Sequence, residues 1–257
     1  MFLADFRDAN LTGTNLEGAL LAGAGLHDAN LTGADLRDAN LESAGLHDAI
    51  LQGARLNRTN LVGADLRRAD LEGADLTDAN LTRARLEGAN LAYANLIGAR
   101  LTSASLINAQ MASAALTGAN LTDANLTRAH LERAKLARAT LTGANLTDAN
   151  LTAARLAGAK LIDANLAGAQ LGGARMAGAD LTGAHLAGAN LNGTNLERAN
   201  LNNTYLVSVT WSELTRWPDA LAGVMRDRSV PIGNGQYRVQ GSGNSGADLS
   251  VPLVPVS

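Results

Sequence analysis

Leucine recurs at every fifth position of this chain from Leu11 to Leu206, interrupted only by Met111 and Met176, and Phe6 opens the series. Of the 41 central positions from 6 to 206, 38 are Leu, two are Met and one is Phe. Ala stands two residues before the centre in 37 of the 41 units, the exceptions being Thr14, Thr59, Thr194 and Thr204. A step of five turns an α-helix by a net rotation of about 140° and carries a β-strand to its opposite face, so neither keeps the leucines on one side. Ala and Leu favour helix intrinsically, yet this spacing forbids an amphipathic one. A chain that turns once every five residues satisfies the pattern, with every Leu and Ala facing a common axis and three positions facing water. That is a solenoid.

The remaining positions agree. Asp or Asn precedes the centre in 22 of 41 units, as in Asp35, Asn40, Asp65 and Asn80, and these short polar side chains suit turns because they bond nearby backbone. Gly stands two after the centre in 18 of 41 units, among them Gly13, Gly63 and Gly183, which fits a corner of crowded backbone or unusual φ. Only seven residues are aromatic, too few for an ordinary globular core of 257 residues. Their placement suggests end covers: Phe2 and Phe6 at the start, Tyr205, Trp211 and Trp217 at the finish. An open coil would otherwise expose its leucine layer and unpaired edge.

Tandem Ala-Asp/Asn-Leu-x-x, as in Ala34-Asp35-Leu36 and Ala119-Asn120-Leu121, resembles the pentapeptide-repeat family from residue 4 to about 211. The resemblance implies an all-β fold, a right-handed quadrilateral β-helix with four units per 20-residue coil and about ten coils. At a strand spacing of ~4.8 Å the rod would be ~50 Å long. Ala24 to Ala29 recurs at Ala44 to Ala49, a spacing that supports 20, whereas Leu116 to Thr127 recurs at Leu141 to Thr152, a spacing of 25. The chain divides into a repeat rod (1–211), a C-terminal cap (212–240) with a short helix from Asp219 to Arg226 and a hairpin from Val230 to Val239 turning at Asn234-Gly235, and a loose tail (241–257).

Cysteine is absent, which excludes disulfides and thiol chemistry. Met1 to Asp8 has neither a basic n-region nor an apolar h-region, so a cytoplasmic location is expected. No apolar run approaches the roughly 20 residues of a membrane-spanning helix. The chain carries no P-loop, dinucleotide fingerprint or HExxH, and a filled solenoid offers no deep pocket. An enzyme is not expected, nor any cofactor. The Asn-x-Thr sequons at Asn10, Asn30, Asn80, Asn120, Asn125, Asn145 and Asn150 arise from the repeat register, which places Asn before and Thr after the same Leu.

With 20 residues per coil, three outward constellations emerge. His27 and His47 stack beside Asp28 and Asp48, a candidate pair of imidazoles and carboxylates for a divalent metal or a surface charge ladder. Lys135, Arg155 and Arg175 form a column with Arg138 and Arg198 on the same side. Like charges in register destabilise a ladder, so the column is either a site for an acidic partner or nucleic-acid phosphate or three exposed cations kept apart by solvent and flexible side chains. Asp65, Asp70, Glu72, Asp75 and Asp78 form an acidic patch interrupted by Arg67 and Arg68. Charge is uneven: residues 1–80 hold 13 acidic and 6 basic side chains (net −7), and residues 81–210 hold 7 and 11 (net +4).

The function read from these features is a non-enzymatic rod that binds an unidentified protein through its flat outer faces. No outward aromatics interleave with the cations, so direct nucleic-acid binding is not expected. The resemblance implies an alternative, since some family members resemble duplex DNA, bind DNA gyrase and modulate its activity or its quinolone sensitivity. Related gyrase-binding members pair through their C-terminal ends, which here places a possible homodimer contact at Trp211 to Arg226. Structural roles are expected for Phe6, Leu106, Met111, Met176, Trp211 and Trp217.

Overall fold

The computed structural model of the chain describes residues 4–240; Phe2 and the 241–257 tail lie outside them. The residue before each centre pairs in parallel with the residue 20 further on, beginning with Asp5 and Gly25 and continuing to Asn190 and Thr210. Four five-residue units therefore complete one coil, and the stacked coils form a right-handed quadrilateral β-helix. We number the faces by their central residues: the first carries Leu26 and Leu46, the second Leu31 and Leu51, the third Leu36 and Leu56, the fourth Leu41 and Leu61. Leu106, Met111 and Met176 are fully buried, and Phe6, Leu11 and Leu16 in the first coil are half-buried against the core. The 25-residue recurrence is the same tract displayed on the next face, not a longer coil.

One unit, Asn30 to Ala34, shows why the sequence settles on this path. The Leu31 amide donates to Ile50 O in the next coil at 2.7 Å and the Gly33 amide to Gln52 O at 2.9 Å, while the Asn30 amide reaches back to Ala9 O at 2.9 Å. The Ala34 amide closes the turn on Leu31 O at 2.9 Å. Four of five backbone donors are thereby satisfied between or within coils, and the fifth, on Thr32, is met by Asn30 Oδ1 at 3.0 Å. Buried or crowded amides need such partners, which is the reason Asp and Asn dominate the position before the centre. The turn is of type II shape, with positive φ at its third residue. All 41 such corner residues have φ between 54° and 70°, including the 23 that are not Gly.

Beyond Thr210 the coil gains one residue. The Leu196 amide donates to Arg216 O, and Asn195 bridges Arg216 rather than residue 215, so Thr215 takes the place of the inward Ala and Trp217 that of the central Leu. The coil path thus runs past Trp211, where the five-residue period ends. Strand β1 (Thr210–Ser212) lies at this last turn. It is followed by helix α1 (Asp219–Asp227) and strands β2 (Ser229–Gly233) and β3 (Gln236–Val239). β3 pairs antiparallel with both β1 and β2, and Asn234 and Gly235 make the hairpin turn with φ of 52° and 67°. Trp211 stacks on Tyr237 at 4.6 Å and meets Trp217 edge-on at 5.9 Å. Leu221 and Met225, one turn apart on α1, are buried in the same cluster.

Candidate functional site

The fold separates the five acidic side chains that the sequence grouped as a patch. Asp65 is on the first face, Asp70 and Glu72 on the second, and Asp75 and Asp78 on the third, because each five-residue step is a quarter turn. Several are also compensated. Asp65 accepts two hydrogen bonds from the Arg67 guanidinium, at 2.6 and 2.7 Å, and lies 3.6 Å from Arg85. The Arg67 hydrogen bonds hold its carboxyl below the usual range, against the opposing effect of burial. Asp70 accepts from Gln52 and Asn90. For Asp75, burial works to raise the pKa, and hydrogen bonds from Thr77 and Asn57 outweigh it, so its carboxyl also sits low. Arg68, read as an interruption of this patch, pairs with Asp48 in the preceding coil.

His27 and His47 stand on the first face with rings stacked at 3.9 Å and 26° between planes. Asp48, expected beside them as a ligand, is held by Arg68. Among the described residues no group of three or more His, Asp or Glu is placed to hold a metal ion. His185 stacks on Tyr205 in the same way, at 4.3 Å.

The basic column does assemble. Lys135 bridges Arg155 and Arg155 bridges Arg175, in register on the third face; Arg138 and Arg198 occupy corner positions of that face, with φ of 57°. Among the described residues, none of Lys135, Arg138, Arg155 or Arg175 forms an ion pair. By contrast, Arg7, Arg37, Arg58, Arg67 and Arg68 in the acidic half are all paired. Along the corner between the second and third faces runs a groove of about 480 Å³, with Lys135, Arg155 and Arg175 on one wall and Tyr93, Ser113 and Arg133 on the other. Between the cations and the opposite corner lie Ala137, Ala157 and Ala177, so the surface is flat. Arg133 and Tyr93 were not singled out from the sequence. Their signal is positional: 93, 113 and 133 are one column at the 20-residue register.

At the C-terminal end Leu214, Val224, Val230 and Ile232 are exposed. Among the described residues no helix is long and apolar enough to cross a membrane.

Comparison with known proteins agrees with this geometry. The family model described as pentapeptide repeats matches in eight copies over residues 2–38, 39–78, 79–118, 114–152, 144–183 and 179–209. A search of curated proteins found no match. Among solved structures, the chain is similar to HetL, a pentapeptide repeat protein involved in heterocyst differentiation regulation from the cyanobacterium Nostoc sp. strain PCC 7120. The two are 35% identical with a TM-score of 0.64, over 79% of this chain and 89% of that one. Rfr23, a pentapeptide repeat protein from the cyanobacterium Cyanothece 51142, is 31% identical over 42% of this chain and 63% of its own, with a TM-score of 0.22. A trypsin-treated form of QnrB1, a plasmid-mediated fluoroquinolone resistance protein, is 16% identical over 88% and 97%, with a TM-score of 0.38.

Proposed function

Given that the chain belongs to the pentapeptide-repeat family, we propose that it is a non-enzymatic scaffold whose third face binds another macromolecule. One observation carries the reading: three cations stack in register at Lys135, Arg155 and Arg175 without a counterion among the described residues. Like charges so placed weaken a ladder, and an acidic partner relieves the repulsion. The site is a flat surface with a shallow groove, suited to association rather than to chemistry on a small molecule. The test is chemical cross-linking with the protein as bait, comparing wild type with the triple variant Lys135→Glu, Arg155→Glu, Arg175→Glu. Reversal of Arg128, on the first face, serves as control. Partners lost from the triple variant and kept by the control are expected; equal recovery by all three proteins refutes the reading.

A second reading, pairing of two copies through the C-terminal end, is supported by the exposed Val230 and Ile232. Both lie on β2, which has a single neighbour in the three-stranded sheet, and such edges invite strand addition. Sedimentation equilibrium is expected to show a dimer that Val230→Lys with Ile232→Lys dissociates.

A further inference from the structure

In every unit the amide that follows the centre has no partner in the coil backbone. All 22 Asp and Asn residues that precede a centre meet it with a side-chain oxygen, at 2.9–3.3 Å. Six of these acceptors are carboxylates: Asp5, Asp35, Asp65, Asp70, Asp75 and Asp180. In three of them the Arg two residues on adds a bidentate pair, as Arg37 does to Asp35 at 2.6 and 2.7 Å. The fold thus repeatedly displays how a carboxylate seats on this amide beside a guanidinium.

On the third face the residues before four successive centres are Ala115, Lys135, Arg155 and Arg175. Among the described residues, the amides of Thr117, Ala137, Ala157 and Ala177 consequently have no intramolecular partner. Asn95 closes the Ile97 amide in the coil before this run, and Asn195 closes the Glu197 amide in the coil after it. Among the described residues no other face leaves more than two successive coils open. Where the acidic units set an anion beside the amide, these three set a cation beside an unpartnered donor.

We propose that this run is a carboxylate-binding ladder, which holds a short acidic segment of a partner protein on the amides of Ala137, Ala157 and Ala177 beside Lys135, Arg155 and Arg175. The inference rests on the binding-face reading and adds its ligand chemistry. Each seat combines a main-chain donor with a cation, and charge-assisted hydrogen bonds of this kind are the stronger ones. With coils ~4.8 Å apart the three seats span about 10 Å, within reach of alternate side chains of an extended peptide at ~6.8 Å. Only methyl side chains flank these amides, Ala157 being exposed and Ala137 and Ala177 half-buried. A long polyanion fits less well, because the same column leads toward the N-terminus through Ala115 and Asn95 to Asp75 and Asp35, with Arg55 between these two and held by Asp35 at 3.1 Å, and residues 1–80 carry net −7.

The test is an NMR titration of the isotopically labelled full chain with a hexaglutamate peptide, with a short DNA duplex and hexalysine in parallel. Saturable shifts of the Ala137, Ala157 and Ala177 amides are expected with hexaglutamate. In Lys135→Asn, Arg155→Asn, Arg175→Asn each amide acquires the intramolecular cap that Asn30 gives Thr32, so the rod folds and affinity falls at least ~10-fold. The matching Gln variant removes charge while leaving the amides open, as Gln110 and Gln170 leave those of Ala112 and Gly172, and is expected to lose less. Equal loss in the two variants removes the amides from the site and overturns the proposal. Absence of shifts up to about 5 mM peptide, or tighter binding of the duplex, overturns it as well. If peptide binding fails while cross-linking still depends on the third face, the scaffold reading stands and the ligand chemistry alone is wrong.

Discussion

At the residue scale, a unit such as Asn30 to Ala34 works because each of its five amides has an acceptor, and the Asx side chain supplies the one the backbone does not. The seven Asn-Leu-Thr triplets show this most fully, since in each the Thr hydroxyl also donates to the same Asn Oδ1, at 2.6 or 2.7 Å. Replacing Asn120 with Ala should therefore cost about 1 kcal/mol, read from the midpoint of urea unfolding. The corner residue obeys a different rule. Ala153 is held at φ 58°, a conformation that costs a residue bearing a Cβ roughly 1–2 kcal/mol, so Ala153→Gly should stabilise by about 0.5–1 kcal/mol after the entropy of Gly is subtracted. Arg37 beside Asp35 holds that carboxyl at about 2, against an ordinary value of 3.8. Because the folded value is the lower one, the pairing supports the fold fully above pH ~4 and loses its contribution as pH falls toward 2. Arg37→Gln should return the Asp35 titration, followed by carboxyl NMR, toward the ordinary value.

At the scale of the element, the coil has no strand long enough to stand alone, and each quarter is held by single bridges to the coils on either side. Stability is then a sum of neighbour contacts, and a charge buried in one layer spreads its damage to both. Leu106→Asp places a carboxylate where the side chain is 0% exposed, and should unfold the adjoining coils, seen as loss of hydrogen-exchange protection centred on residues 86–126. At the closing end, Trp217→Ala should cost about 3–5 kcal/mol and uncover the last coil. The inward pattern and the corners were readable from spacing alone, because burial repeats with the same period as the chain path. The one-residue insertion before Trp217 was not, since Ser212 to Thr215 contains no inward Leu to betray the shift. Nor was the docking of β3 on β1, which depends on a contact between segments more than 20 residues apart. The acidic set shows a different failure: its members are close in sequence, and only the quarter-turn geometry reveals that they look outward in three directions.

At the scale of the whole molecule, among the described residues all six cations of residues 1–80 are ion-paired, with six of the 13 acidic side chains there, whereas ten of the 11 cations of residues 81–210 are not. That distribution sets the expectation for gyrase. Supercoiling assays with and without a quinolone should show neither inhibition nor protection at tens of micromolar protein. An effect abolished by reversing Asp65, Asp70, Asp75 and Asp78 would instead favour duplex mimicry. The basic column was legible once the 20-residue register was applied, but Arg133 and the open amides were not, because sequence reading follows side chains and the amides belong to the main chain. The constant register also gives length changes in this chain an angular meaning. Inserting or deleting a whole coil of 20 residues slides everything beyond it along the axis and leaves every face aligned. A change of five residues swings everything beyond it through a quarter circle, so the tract shared by Leu116 to Thr127 and Leu141 to Thr152 reads as one text shown on two adjacent sides. In such a molecule the direction in which a surface points is encoded by how many units precede it.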